Sequence, residues 1–281
     1  MSEVKTTNAA AINLIDESFD PKKSNTYHLS ILANENSFSF CILDTHTNKY
    51  LTLQSHSKFS PAEIKGELSG CNSFKSVTCA IAHNKFTLVP SGLFDEENKR
   101  SLLEFNHPIE SEEKIHSDLM QNLDAKNIFT TSGSFESEIR KQFINVHFIH
   151  NSTSFIEGLL IQNKNTKGKR FFADFHSSYF EIAILEDGKL LFNNSFKYKA
   201  PEDIAYYILF VYEQLHLNPE EVELIVSGEI EKTAKEHSLL YNYIRHVKFA
   251  ALPDGFNFSY KFNEVQPHKF WSLFTQYLCI S

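Results

Sequence analysis

The residues best placed to do chemistry lie in one short run, Asp174-Phe175-His176-Ser177-Ser178. Residues two apart on a strand point to the same face, so a carboxylate and an imidazole would project together if the strand extends that far. Such a pair is the minimum for general acid–base work. Two hydroxyls, Ser177 and Ser178, follow directly. Spacing names no third residue to orient the pair, and a hydrogen-bonded turn accounts for the same four residues. A hydrolase elbow is unsupported, because neither Ser91-Gly92 nor Gly158 fits Gly-x-Ser-x-Gly.

Other chemistries find less support. Thirteen histidines are present, yet none falls in a His-x-x-x-His or His-Glu-x-x-His pattern on an expected helix, so no metal site is expected. The four cysteines, Cys41, Cys71, Cys79 and Cys279, form no Cys-x-x-Cys, which suggests neither zinc nor a redox pair. Nine glycines make no Gly-x-Gly, Gly-Gly or Gly-x-x-Gly set, so no familiar phosphate-cradling loop is present and no cofactor is expected.

The net charge of -8 disfavours nucleic acid as a partner. The most basic run, Lys164 to Arg170, reads as a solvated turn. Residues 1–25 are polar, and no stretch reaches the roughly 18 apolar residues that span a bilayer. The expectation is a cytoplasmic protein that is not integral to a membrane. Twenty-six phenylalanines point to an aromatic-filled core.

The elements that must position these residues follow from periodicity. After a polar leader (1–26), strands are expected at Leu29–Ala33, Phe38–Asp44 and Tyr50–Leu53, a three-stranded antiparallel meander. Ser60-Pro61-Ala62-Glu63 opens a helix. Strand pairs follow at Val77–Ala82 and Phe86–Val89, a helix start at Asp95-Glu96-Glu97, and strands at Lys114–Met120 and Asn127–Thr131. A helix over Ser134–Phe143, a strand at Val146–Ile149 and a helix over Ser152–Gln162 come next.

The second half repeats the theme. Strands at Arg170–Asp174, Tyr179–Leu185 and Leu190–Lys197 are joined by His176-Ser177-Ser178 and by a Glu186-Asp187-Gly188-Lys189 hairpin. A helix runs from Pro201 to about Leu217, with apolar residues on most of its sides, followed by a strand at Glu223–Ser227. A helix over Lys232–Ile244, a strand at Val247–Ala251 and a final aromatic helix over Pro267–Leu278 complete the chain. A meander followed by a helix thus occurs twice, from about Tyr27 and about Lys169, and implies an internal duplication.

This pattern resembles the actin-like ATPase superfamily. Phe172 to Ile184 is similar to its second phosphate-binding hairpin, Leu224-Ile225-Val226-Ser227-Gly228-Glu229 to its adenosine motif, and Leu29 to Ile42 lies where its first hairpin belongs. More narrowly, Phe38-Ser39-Phe40, Asn193-Asn194-Ser195-Phe196 with Tyr206-Tyr207, and Ser227-Gly228-Glu229-Ile230 resemble an uncharacterised bacterial family with this fold and no assigned activity. Pilus-assembly and divisome proteins are more distant relatives. The resemblance implies two ribonuclease H-like α/β lobes, 27–150 and 151–281, each with a mixed sheet that starts with the meander.

It also implies a nucleotide cleft between the lobes, lined by Asp174, His176, Ser177, Ser178, Gly228 and Glu229. The superfamily's hairpins carry Asp-x-Gly, whose bare backbone approaches phosphate while the carboxylate serves Mg²⁺ or water. Here Asp174 remains but His176 stands at the glycine. In the first hairpin Ile31 and Ala33 are expected at the two positions, and Leu29 to Asn34 contains neither Asp nor Gly. Glu229 replaces the second glycine of the adenosine motif. The favoured reading is a non-catalytic interaction or scaffold protein with a protein partner or a homodimer, and without ATP. The alternative is a sensor or ATPase that takes a nucleotide or other small ligand in the cleft.

Overall fold

The computed structural model describes residues 12–34, 37–57, 61–143 and 145–280. The first lobe is built on a seven-stranded sheet. Its meander is β2 (Tyr27–Ala33), β3 (Phe38–Asp44) and β4 (Lys49–His56), preceded in the chain by a short β1 (Asn13–Ile15) that pairs with β4. Helix α1 (Pro61–Glu67) leads to β5 (Ser76–Ile81), parallel to β2. The expected N-cap of α1, Ser60, lies outside the described residues.

A small sheet is inserted next: β6 (Phe86–Pro90), helix α2 (Lys99–Glu104), β7 (Glu113–Leu119) and β8 (Ala125–Ser132), in the order β6-β8-β7. The helix expected at Asp95 begins four residues later. Asp95 instead closes a turn, accepting from the Glu97 N–H and the Asn98 amide. Helix α3 (Gly133–Gln142) and β9 (Val146–His150), parallel to β5, return the chain to the main sheet.

Helix α4 (Asn151–Gln162) leaves β9 and crosses to the second lobe. There the sheet is β12-β11-β10-β13-β14, from β10 (Lys169–Phe175), β11 (Tyr179–Glu186), β12 (Lys189–Lys197), β13 (Leu224–Gly228) and β14 (Val247–Phe249). Helices α5 (Pro201–Gln214) and α6 (Lys235–Tyr241) cover one face. The chain then returns to the first lobe, where β15 (Asn257–Phe258) pairs with β4, and ends in α7 (Trp271–Thr275) with 3-10 turns on both sides.

The duplication extends to fine detail. Strands β4-β3-β2-β5-β9 and β12-β11-β10-β13-β14 have the same order and the same parallel and antiparallel neighbours. Each meander also carries one bulge, after Ile42 in the first and after Ile184 in the second. Bulges re-aim side chains and are specific features of a fold, so their coincidence fixes the equivalence of the two copies. Ala33 opposite Phe38 corresponds to Phe175 opposite Phe180.

Both sheets bury both faces, which explains why β2 and β11 are buried almost throughout. In the second lobe, Phe171, Ala173, Phe175, Phe180, Ile182 and Ile184 pack under α5 and α6. The alternate residues Phe172, Ala183 and Leu185 meet Phe155, Ile156 and Leu159 of α4, together with Trp271 of α7. Every residue of α4 from Asn151 to Leu160 is buried. Helices α4 and α7 touch at Gly158, where a Cβ would fall within 2.8 Å of Thr275 and Trp271 side-chain atoms.

Candidate functional site

The carboxyl ends of β10 and β13, the start of α4 and the start of α7 converge between the lobes. They converge on Asp174. Its Oδ1 accepts from Ser227 Oγ of β13 (2.6 Å), and its Oδ2 accepts from Asn151 Nδ2 of α4 (3.1 Å) and Ser272 Oγ of α7 (3.1 Å). His176 Nε2 lies 3.2 Å from the same Oδ2. Asp174 and His176 thus project together, as two residues on one strand face would, and both are buried.

His176 is fixed by its ring and by its backbone. Its ring stacks on Tyr179 (4.4 Å between centroids, 13° between planes). Its N–H donates to the Tyr179 carbonyl (2.9 Å), and its own carbonyl accepts from the Tyr198 hydroxyl (2.6 Å). Ser177 and Ser178 are exposed at the hairpin tip, outside this cluster. Glu229 is exposed at the mouth of the cavity, and its Oε1 accepts from Asn34 Nδ2 of the first hairpin at 3.4 Å.

Gly228 lies beneath the site for a reason internal to the sheet. Its φ is +79°, and a Cβ there would come within 2.1 Å of the Phe175 carbonyl oxygen. Close backbone approach at a left-handed position admits only glycine. This packing accounts for Gly228 without any ligand.

Sequence reasoning misses the residues that complete the site. Three successive side chains in the first turn of α4 each bond a different buried carboxylate. Asn151 holds Asp174, Ser152 Oγ donates to Glu181 of β11 (2.5 Å), and Thr153 Oγ1 donates to Asp118 of β7 (2.6 Å). Glu181 also accepts from Asn193 of β12 (2.7 Å), and Asp118 from the His150 N–H (2.9 Å). A helix N-terminus favours negative charge. Here it gathers three carboxylates from two strands of one lobe and one strand of the inserted sheet. The signals were present in the sequence: a charged residue within the apolar run Tyr179–Leu185, and four short polar residues before Phe155.

Environment divides the three acids. Burial raises Glu181 to about 7 against the hydrogen bonds from Ser152 and Asn193. Burial likewise raises Asp118 to about 7 against those from Thr153 and the His150 N–H. Asp174 feels the same desolvation, but the His176 hydrogen bond and charge, with Ser227 and Asn151, outweigh it and leave it below its ordinary value. His176 is the reverse case: burial pulls it down, while Asp174, Glu229 and Glu181 push it above its ordinary value. Buried opposite charges that share hydrogen bonds stabilise one another in this way.

The first lobe does different things at the corresponding place. By register, Leu32 occupies the position of Asp174 and Asn34 that of His176. This corrects the expected alignment of Ile31 and Ala33 by one residue. Neither Asp nor Gly appears in either register. Below, His28 meets Ser76 (2.9 Å), Ser30 (3.0 Å) and Thr78 (3.2 Å), and Thr78 donates to Gln276 Oε1 (2.8 Å). Burial lowers His28 to about 3, so this cluster is neutral.

Leu32, Asn34, Asp174, His176 and Glu229 line an interlobe cavity of about 220 Å³. Typical small-ligand sites are larger, about 300–1,000 Å³. Among the described residues no group of three or more His, Cys, Asp or Glu side chains is arranged to hold a metal ion. No helix among them is long and apolar enough to cross a membrane.

Two lobes with the same bulged meander, joined by a crossing helix and meeting at a cleft, define the actin-like ATPase fold. A crystal structure from Bacteroides thetaiotaomicron, of a protein with this fold and unknown function, is similar at 26% identity. The match covers 92% of this chain and 98% of that one, with a TM-score of 0.76. The PilM–PilN type IV pilus biogenesis complex contains a chain similar at 12% identity, with 90% and 97% covered and a TM-score of 0.60. The chain belongs to the protein family of unknown function DUF3822, whose pattern matches residues 16–247. No curated protein matches it.

Proposed function

We propose that this protein is a non-catalytic interaction or scaffold protein on a degenerate actin-like fold, and that its own side chains occupy the place of a nucleotide. The observation that carries the reading is the start of α4. The helix end that would face phosphate already binds Asp174, Glu181 and Asp118. Of the candidate cleft residues, Asp174 has four donors around it, and His176 is locked on Tyr179 where bare backbone would be needed. Gly228 is explained by strand packing, and Glu229 places a carboxylate at the mouth.

A protein partner or a second copy is the proposed ligand, in keeping with the likeness to a chain from a PilM–PilN complex. Four free thiols fit a reducing, cytoplasmic location. The small-ligand reading retains one supporting observation, the residual 220 Å³ of space between the lobes.

Thermal denaturation with MgATP, MgADP and the free nucleotides tests the proposal. A ligand at a hundred times its dissociation constant stabilises a fold by about 2.7 kcal/mol, a shift of several degrees. The expected shift is none. A saturable shift of several degrees with any nucleotide would overturn the scaffold reading in favour of the sensor.

A further inference from the structure

The molecule has a second, larger cavity far from the cleft. Strands β2, β5 and β9 run in parallel toward the interlobe site, so their starting ends lie at the opposite edge of the first lobe. There the end of α1, the chain entering β5 and the end of α3 surround a pocket of about 410 Å³. That is nearly twice the interlobe cavity and within the range of small-molecule sites.

Its lining has a definite chemistry. Leu68, Phe74, Val77 and Phe143 supply an apolar floor, with the two phenyl rings edge to face at 6.5 Å. Lys65 and Lys75 stand at the wall, both exposed. Lys75 Nζ donates to Thr45 Oγ1 (3.1 Å), and neither lysine forms an ion pair among the described residues. No carboxylate appears among the described lining residues, whereas the amides of Asn72 and Gln142 add further donors. Two exposed cations with no ion pair among the described residues are notable in a chain of net charge -8.

We infer that this pocket binds a small organic anion with an apolar, aromatic or aliphatic body. The floor removes the body from water, and the two ammonium groups, which act as flexible point charges, take the carboxylate or sulfonate head. Electrostatics selects the sign: a cationic ligand of the same shape would face two like charges, and a neutral one would forgo both. The inference is independent of what the interlobe cleft does.

Anilinonaphthalene sulfonate serves as the anionic fluorescent probe, and phenylnaphthylamine as the same body without charge. Cys71 lines the pocket half-buried, which makes its alkylation a local reporter. Cys41 and Cys79 are buried, and Cys279→Ser removes the other partly exposed thiol. In the folded protein the sulfonate is expected to bind saturably at one site, to slow Cys71 alkylation by iodoacetamide, and to outcompete the uncharged analogue.

Replacing both lysines (Lys65→Gln with Lys75→Gln) should weaken the sulfonate about tenfold or more, the loss expected when charged hydrogen-bond donors are removed, and leave the analogue unchanged. Lys75→Glu, a single exposed change, should act in the same direction if the double variant melts early. The inference is overturned if the lysine variants bind the sulfonate as tightly as the parent, if the uncharged analogue binds equally well, or if saturating sulfonate leaves Cys71 alkylation unaffected.

Discussion

The two meanders share strand order, register and bulge, yet the face each turns toward the other lobe differs in kind. The second lobe presents Asp174 and His176 of its meander, with Ser227 of β13 beside them, in a charged, hydrogen-bonded cluster. The first lobe presents Leu32 of its meander and Ala80 of β5 at the equivalent sites, above the neutral His28 cluster. A duplicated backbone therefore carries ionic chemistry on one side only. The asymmetry resides in a few strand-end residues, where one substitution changes what the cleft can hold without changing the sheet.

The sharpest way to break the comparison lies at its glycine. Gly228→Ala forces a Cβ against the Phe175 carbonyl oxygen at a positive φ, and it should cost about 4 kcal/mol or more. The first-lobe equivalent, Ile81, is an ordinary buried strand residue, and Ile81→Val should cost about 1 kcal/mol. Urea denaturation of the two variants measures both. Equal costs would mean that the strand ends are not packed differently.

Asp174→Ala removes one partner of a buried ion pair and strands Asn151, Ser227 and Ser272, for an expected loss of about 4 kcal/mol. Leu32→Ala, at a half-buried apolar position, should lose no more than about 2 kcal/mol. A comparable loss at both would show that the ionic cluster adds nothing beyond packing.

The pH response sharpens the picture further. Glu181 titrates near 7 in the folded chain, above its ordinary value of 4.5. The folded state therefore holds its proton more tightly than the unfolded state, and the contribution of this group to stability falls as pH rises from about 4.5 to 7. Glu181→Gln keeps the shape without the charge. Relative to the parent it should gain about 2 kcal/mol between pH 5 and pH 8, read from denaturation midpoints at the two pH values. A constant difference would mean that Glu181 is ionised throughout. The Asp174–His176 pair works differently: its stabilisation is lost in alkali as pH passes the raised value of His176, and in acid as pH falls through the depressed value of Asp174.

Much of this fold was legible in the sequence, for identifiable reasons. Both meanders, the bracketing of α5 by Pro201 and Asn218-Pro219, and the starts of α3 and α4 follow from periodicity and capping chemistry. The Asp174–His176 pair follows from the two-residue period of a strand. The first-hairpin alignment slipped by one because β2 is buried on both faces, so hydrophobicity does not reveal which residue faces the cleft.

The final helix is shorter than the expected Pro267–Leu278. Only Trp271–Thr275 is α-helical, with 3-10 turns on both sides. There Thr275 Oγ1 bonds carbonyls of Trp271, Ser272 and Ser154, and Gln276 reaches Thr78 and Ile31. Tertiary partners of this kind override helical spacing. The cluster at α4 is legible only in pieces: its donors are neighbours in the sequence, but its carboxylates come from residues far apart in the chain, so spacing does not pair them.

The smallest expected effect is an absence. His176→Gly restores the glycine of one hairpin while Leu32 and Asn34 remain in the other, so the variant should gain no MgATP affinity by calorimetric titration. Measurable binding would locate the whole block in one imidazole.

Crystals soaked in millimolar MgADP or MgATP give the most direct test. The account predicts that Asn151, Ser152 and Thr153 keep Asp174, Glu181 and Asp118, with no phosphate density between the lobes. Phosphate oxygens within hydrogen-bond distance of the first turn of α4 would contradict it.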